Sequence, residues 1–520
     1  MATNSSSYDS ILYPGYTHPQ THPDRLEIIG RLFGLAPASA RRCRVLELGC
    51  GNGANLIPMA WGLPESEFVG IDLAARPIAQ GREMIRDLGL RNVRLEHGSI
   101  TAINASWGKF DYILAHGFYS WVPPEIQERM LGICRHAMAP QGIAFVSYNA
   151  LPGCHLRKMT REMMLFHIRD LTAPQERINQ AQALVRFLAD AQDTTDEFRL
   201  WMKAELKQIA GHDEGHLFHD ELAELNEPLY FTQFMERAGR HDLQYLGEAD
   251  YFEMSDHGFK DSVRQTLKQL ARSRILREQY LDFLKCRRFR QTLLCQREVP
   301  LQSEPDASHV AGFLVSSTAG CTSSSTDLRA GVTCEFETPK GGKLETDYAL
   351  GKAALAVLGE TWPVPIAFDE LMARSVARLE NETSFDQHDP QHRAQLAGFL
   401  LQLYSGGLVD FRIAIPTVAR TVSERPEASP IARWQAERGH VVTSLFHLAV
   451  KVEDEIGKNL LAWLDGTCDR KILLEKLWKL LEEKNALIVK DENPEAARRS
   501  LAAELDKNLL KLARFGLLVK

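Results

Sequence analysis

Glu47 stands two residues before the first of three glycines at alternate positions, in Val45-Leu46-Glu47-Leu48-Gly49-Cys50-Gly51-Asn52-Gly53. An apolar run closed by a carboxylate and then by glycines lets a buried parallel strand turn sharply into a helix while its backbone approaches a ligand. Gly49-x-Gly51-x-x-Ala54 loosely satisfies the dinucleotide fingerprint. An anion at Glu47 would lie close to the pyrophosphate and repel it, whereas it would attract a cation. S-adenosylmethionine (SAM) carries a sulfonium and an ammonium and no phosphate, so the pattern suits SAM better than NAD. The alternative is a strand-turn-helix that binds nothing.

The elements that must position this loop follow in order. Residues 67–73 read as a second short strand ending in Asp72, near the spacing of roughly 20 residues at which an acidic side chain meets ribose hydroxyls. A third strand over 93–100 places Ser99 and Ile100 where an adenine ring would sit. A fourth over 110–115 opens into His116-Gly117-Phe118-Tyr119-Ser120-Trp121, and a fifth over 142–149 closes the series. Helical stretches over 79–88 and 124–138 lie between them. Strands alternating with helices predict an α/β, Rossmann-like domain, a parallel sheet covered on both faces with its ligand at the strands' carboxyl ends. The expected cofactor residues are Glu47, Gly49, Gly51, Gly53, Asn55, Asp72, Leu73, Ser99, Ile100, His116 and Gly117.

Methyl transfer to an amine needs that amine neutral and in line with the S–CH₃ bond. A partly apolar, aromatic-lined channel lowers an amine's pKa, and aromatic faces hold methylated ammonium. Tyr13, Tyr16 and Tyr148 are candidates to line such a channel, with His116, Tyr119, Trp121 and Asn149 as catalytic candidates. Each aromatic could equally well roof the sheet. No Asn/Asp-Pro-Pro-Tyr follows the fourth strand, which argues against methylation of an exocyclic base amine or a glutamine amide.

At 520 residues, 44% hydrophobic and 25% charged, the chain reads as a globular protein of several domains. Its net charge of −7 gives no general affinity for nucleic acid. Nine cysteines without a Cys-x-x-Cys pair suggest reduced thiols, and neither a secretory signal nor a membrane-spanning apolar run is read, so a cytoplasmic protein is expected. His212, His216 and His219 have metal-ligand spacing, but Gly211 and Gly215 break the helix that would hold them, and no metal is expected.

Residues 1–155 form the expected SAM domain. Residues 156–216 are a helical segment, with Thr172 set to cap a helix entered through Pro174; such helices could join a homodimer or pack within their own chain. A middle domain over 217–301 carries a basic stretch from Arg264 to Arg297, read as a solvated helix face leading into a buried strand or as a binding surface. Residues 302–327, with their Ser/Thr run, read as a linker. Two winged-helix-like modules follow, over 328–420 and 421–520, each ending in a helix, a glycine turn and a short apolar strand. Their helices are mixed in charge or acidic, which favours protein-recognition or packing modules over DNA-binding ones.

Residues 1–150 resemble a class I SAM-dependent methyltransferase, on the glycine motif together with Asp72. Tyr13-Pro14-Gly15-Tyr16, Thr21-His22-Pro23-Asp24-Arg25-Leu26 and Tyr148-Asn149-x-x-Pro152-Gly153 resemble a narrower group. These are the bacterial methyltransferases with a methyltransferase regulatory domain, among them rickettsial enzymes that methylate lysines of an outer-membrane protein. His219-Asp220 through Asn226-x-Pro228-x-Tyr230-Phe231, then Tyr245-Leu246-Gly247-Glu248-Ala249, resemble the regulatory segment. The resemblance implies SAM as donor and a protein lysine as acceptor. A small-molecule N- or O-methyltransferase and a SAM-binding regulator are the alternatives. Ser99 departs from the acidic residue that many class I enzymes place against the adenine amino group.

Overall fold

Val45, Leu46 and Leu48 are fully buried because β1 (Arg44–Leu48) runs through the middle of a sheet covered on both faces. The computed structural model describes residue 11 and residues 13–323, 326–339, 341–379, 385–484 and 494–520. Helix α1 (Pro23–Leu32) precedes β1, and α2 (Leu56–Gly62), β2 (Glu67–Asp72), α3 (Ala75–Asp87), β3 (Val93–His97), β4 (Phe110–Ala115), α4 (Pro124–Ala137) and β5 (Met138–Asn149) follow it. These five strands are mutually parallel, in the spatial order β3-β2-β1-β4-β5. The order reverses between β1 and β4, so the loops leaving those two strands diverge and open a crevice at the carboxyl edge.

The sheet does not close at Asn149. Helices α5 (Cys154–His167), α6 (Pro174–Asp190) and α7 (Glu197–Ala210) intervene, then α8 (Phe231–Arg240), β6 (Leu243–Glu248), α9 (Asp261–Leu270), α10 (Arg274–Lys285) and β7 (Phe289–Gln296). β7 inserts between β5 and β6, antiparallel to both, giving seven strands. The expected divisions at 155 and 217 therefore cut through one sheet. Pairing between β5 and β7 spans too many residues for local pattern to announce it. α5–α7 build a separate small core around Met164, Ile178, Val185 and Leu206, while Phe166, Phe187, Phe198 and Trp201 stay exposed on their outer faces. Thr172 does not cap α6; Ala173 occupies that position, with Pro174 as the first helical residue.

The inward members of the basic stretch are neither solvated nor available to a partner. Arg287 and Arg290 are buried, and Arg290 pairs with Glu248, Glu278 and Asp282.

The expected linker is also corrected. Val310, Phe313 and Val315 are buried, and β8 (Leu314–Ser316) is the central strand of a small sheet. After it come β9 (Gly320–Cys321), β10 (Cys334–Glu337), β11 (Lys343–Thr346), α11 (Ala349–Thr361), β12 (Ile366–Ala367), α12 (Phe368–Ala377), α13 (Pro390–Ser405) and β13 (Asp410–Arg412). β12 and β13 flank β8. Hydroxyls do part of the packing there: Ser317 Oγ donates to Leu408 O at 2.6 Å and accepts from Ala319 N at 3.0 Å. Ser324 and Ser325 of the expected linker lie outside the described residues. This module shares one continuous apolar core with the large sheet.

The last module comprises α14 (Pro430–Ala436), the hairpin β14 (Val441–Thr443)–β15 (Ala449–Lys451), α15 (Glu455–Trp463), α16 (Arg470–Glu483) and α17 (Pro494–Arg514). It has its own core, with Leu461, Leu473, Leu509 and Leu517 at 0% exposure, and Leu518 bridges Ala428 where the terminal strand was expected. No helix among the described residues is long and apolar enough to cross a membrane.

Candidate functional site

The crevice between the β1 and β4 loops holds a cavity of about 530 Å³. One wall is the glycine loop. Gly49 and Gly51 have φ of +74° and +53°, the left-handed region where other residues are strained. A Cβ on Gly49 would also strike the Phe118 ring arriving from the β4 loop, whereas Gly51 faces open space. Asp72, at the end of β2, ties the loop down: its carboxylate accepts from Gly51 N at 2.9 Å and from Ala74 N at 2.8 Å. Ser99, Ile100 and the exposed Leu73 line the cavity beyond it.

Helix α3 presses against the back of the same loop. A Cβ on Gly81 would overlap the Asn52 carbonyl oxygen and the Leu95 side chain. Backbone cannot yield as a flexible side chain does, so Gly81→Ala is expected to destabilise the protein by about 1–3 kcal/mol. It should also weaken cofactor binding by displacing the loop. Urea unfolding and calorimetric titration of the same variant check both effects.

Glu47, last but one in β1, is buried and lines the cavity. Its Oε1 accepts from Asn55 Nδ2 at 2.7 Å, and its Oε2 has no hydrogen-bond partner among the described residues. Burial pushes this carboxyl up to about 7; the Asn55 hydrogen bond opposes the rise, and the Asp72 charge adds to it. A buried carboxylate oxygen without a donor is costly. An ammonium reaching that oxygen would supply the missing donor, so the residues fit SAM.

The other end of the cavity is aromatic. Tyr13, Tyr16, Phe118 and Trp121 line it together with Asp220. Tyr16 stacks on His216 with ring centroids 5.6 Å apart, and Tyr13 Oη donates to Asp220 Oδ2 at 3.4 Å. Asp220 comes from a π-helical turn, Leu217–Glu221, a geometry that recurs at functional sites. Burial pushes its carboxyl up to about 6. His116 lies against His18, centroids 3.6 Å apart. Burial, and then His18, hold the His116 imidazole well below its ordinary value, so the ring is neutral and a weak base. Gly117 N donates to Ser147 Oγ at 2.8 Å.

The structure thus gathers Tyr13, Tyr16, Glu47, Gly49, Gly51, Asn55, Asp72, Leu73, Ser99, Ile100, His116, Gly117 and Trp121 around one cavity. Four expected residues do not line it. Gly53 is buried against Leu95 and Ile57. Tyr119 is fully buried, edge-on to Phe234. Tyr148 stacks on the same ring at 4.2 Å, with its hydroxyl 3.2 Å from Thr292 Oγ1. Asn149 donates from its side chain to Asn226 Oδ1 at 2.9 Å. The reason is β7 and α8: they cover the edge of β5 that a five-stranded sheet would have left open toward the ligand.

The residues missed at sequence level are His18, Phe118, His216 and Asp220. Asp220 stood in the motif that resembles the regulatory segment, and His216 in the metal-like spacing. In the fold those histidines stay close, with the His212 and His216 centroids 6.1 Å apart, but turn to different partners: His216 meets Asp213 and Tyr16, while His219 Nε2 lies 2.7 Å from Ile11 O.

Comparison with known proteins agrees with the fold. Residues 45–142 match a methyltransferase domain family, residues 213–296 the predicted methyltransferase regulatory domain, and residues 424–517 the PKMT C-terminal winged helix domain. An uncharacterised protein of Rickettsia prowazekii is 30% identical over 98% of this chain and 93% of its own length. PKMT2 from Rickettsia typhi, solved also in complex with S-adenosylhomocysteine, is 29% identical. It superposes with a TM-score of 0.86 over 98% of this chain and 100% of that one. The chain belongs to the family of SAM-dependent methyltransferases that join a methyltransferase domain to a regulatory domain and a PKMT-type winged helix, and it is such an enzyme.

Proposed function

We propose that the acceptor is the ε-amino group of a lysine in a protein. The observation that carries this reading is the meeting of Tyr13, Tyr16 and Trp121 with the Asp220 carboxylate at one end of the cavity. Aromatic faces and a carboxylate together suit an alkylammonium. The likeness to PKMT2 supports it.

When bound, SAM supplies a methyl already activated by positive sulfur. Glu47 would hold its ammonium, Asp72 would meet the ribose hydroxyls, and Ser99, Ile100 and the Gly49 and Gly51 backbone would line the rest of its site. Asp220, whose carboxyl burial pushes up to about 6, is the group placed to pair with the incoming lysine and to receive its proton. The rings exclude water and align the amine; alignment of this kind contributes about 7–11 kcal/mol. His116 shapes the channel as a neutral ring. In the last module α16 interleaves Glu475, Glu482 and Glu483 with Arg470, Lys471, Lys476 and Lys479, a mixed surface that suits contacts with protein.

Incubation with methyl-labelled SAM and a protein extract tests the acceptor. Label recovered as methyl-lysine after digestion of the protein fraction is the expected result. Label confined to small molecules would transfer the assignment to a small-molecule N- or O-methyltransferase.

A further inference from the structure

Asn55, the residue that steadies Glu47, is itself held from the far end of the chain. His447 lies between β14 and β15 of the winged-helix module, with φ of +61°, in the left-handed region where histidine is enriched over most residues. It is 5% exposed, and its Nε2 is 2.9 Å from Asn55 Oδ1.

The direction of this hydrogen bond follows from its neighbours. Asn55 Nδ2 donates to Glu47 Oε1 at 2.7 Å and to Thr21 Oγ1 at 3.0 Å. The His18 backbone N–H, which can only donate, points at Asn55 Oδ1 at 2.9 Å. The oxygen of the amide is therefore the atom facing His447, and His447 must carry its proton on Nε2. Burial, and then His22, keep the ring neutral, so one nitrogen donates and the other does not. Thr21 and His22, part of an N-terminal motif prominent in the sequence, pack around the same bridge.

His447 also lines a second cavity, of about 290 Å³, together with His22, Trp61 and Arg412. Asn55 lines the first. The bridge between them is thus a narrow polar contact rather than a thick apolar wall. The module is also tethered by Trp434 Nε1, which donates at 2.8 Å to Oδ2 of Asp87, the last residue of α3.

We infer that His447 is a positioning residue for the cofactor: through Asn55 it fixes the Glu47 carboxylate where the SAM ammonium arrives. The winged-helix module then completes the donor pocket as well as contacting protein. This rests on the assignment of Glu47 to the cofactor ammonium and is independent of which acceptor is methylated.

The test uses the full chain, with S-adenosylhomocysteine as probe. His447→Leu removes the donor and should raise the Kd by about five- to tenfold, the effect of one lost hydrogen bond. His447→Gln retains an N–H at similar reach and should return the Kd to within about twofold of the parent. Unchanged affinity in His447→Leu overturns the proposal. Equal weakening in both variants does so too, because a purely structural role would not distinguish donor from non-donor. A measurement on the unaltered protein stands apart from variant folding. In ¹⁵N-histidine spectra His447 should show the Nε2-protonated tautomer, and an Nδ1-protonated ring would refute the bridge. If Glu47→Gln binds S-adenosylhomocysteine as tightly as the parent, the Glu47 assignment fails, while the tautomer result still reports on His447 itself.

Discussion

Glu47→Gln will bind SAM about 10- to 100-fold more weakly than the parent at pH 8, and its affinity will no longer depend on pH. The size follows from replacing a charge-assisted hydrogen bond, worth roughly 1.5–3 kcal/mol, by a neutral one. The pH dependence follows from burial, which with the Asp72 charge raises the Glu47 carboxyl to about 7 against the Asn55 hydrogen bond. Below that pH the carboxyl is protonated and must release its proton to meet an ammonium, so parent affinity should fall about tenfold per unit as pH drops below 7. Stability moves the other way. Between the ordinary value of 4.5 and about 7, the folded protein without cofactor holds a proton that the unfolded chain has lost. Its stability therefore declines as pH rises through that window. Glu47→Gln removes the decline, worth about 3 kcal/mol by pH 8, and the variant should melt higher than the parent when no cofactor is present. Calorimetric titration and melting at pH 6, 7 and 8 check both halves. A parent whose SAM affinity is flat across that range would show that Glu47 does not receive the ammonium.

Arg290→Met will destabilise the protein by about 3–5 kcal/mol near neutral pH, the scale for removing one partner from a buried ion cluster. Arg290 is fully buried, with its guanidinium 3.8 Å above the Phe231 ring. It joins Glu248 on β6 to Glu278 and Asp282 on α10. Without it Asp282 and Glu248 keep Arg287, at 2.9 Å and 3.9 Å, and Glu278 keeps the half-exposed Arg277 at 3.6 Å. Burial already pushes Asp282 up to about 6 although Arg290 pulls it down, so losing the arginine raises it further. The deficit should therefore shrink toward pH 5 as the stranded carboxyls take up protons. Urea unfolding at pH 5 and pH 7.5 measures this. A loss below about 1 kcal/mol at pH 7.5 would mean that packing, rather than the ion cluster, holds β6 and β7 to the sheet.

Much of the donor side of the site was legible along the chain. Glu47, the glycines and Asp72 occupy strand ends, where local order places the ligand, and each lies within about 25 residues of the next. Distance along the chain explains what was not legible. Tyr119, Tyr148 and Asn149 read as cavity residues because the elements covering that edge, α8 (Phe231–Arg240) and β7 (Phe289–Gln296), arrive much later in the chain. Asp220 and His216 reach the aromatic end because the stretch after α7 meets the N-terminal segment, where Tyr13 bonds Asp220 and Tyr16 stacks on His216. The supposed linker failed for a different reason. Its apolar residues, Val310, Phe313 and Val315, are few, and the hydroxyl of Ser317 does its packing through hydrogen bonds.

The nucleotide crevice is specified locally, since it follows from neighbouring residue types on one strand and its turn. Only the tertiary structure decided which aromatics face the cavity, that seven strands rather than five build the sheet, and that His447 closes a hydrogen-bonded chain onto Glu47. Those outcomes depend on pairings between residues more than a hundred positions apart, and burial and hydrogen-bond direction at such contacts have no local signature in composition or periodicity.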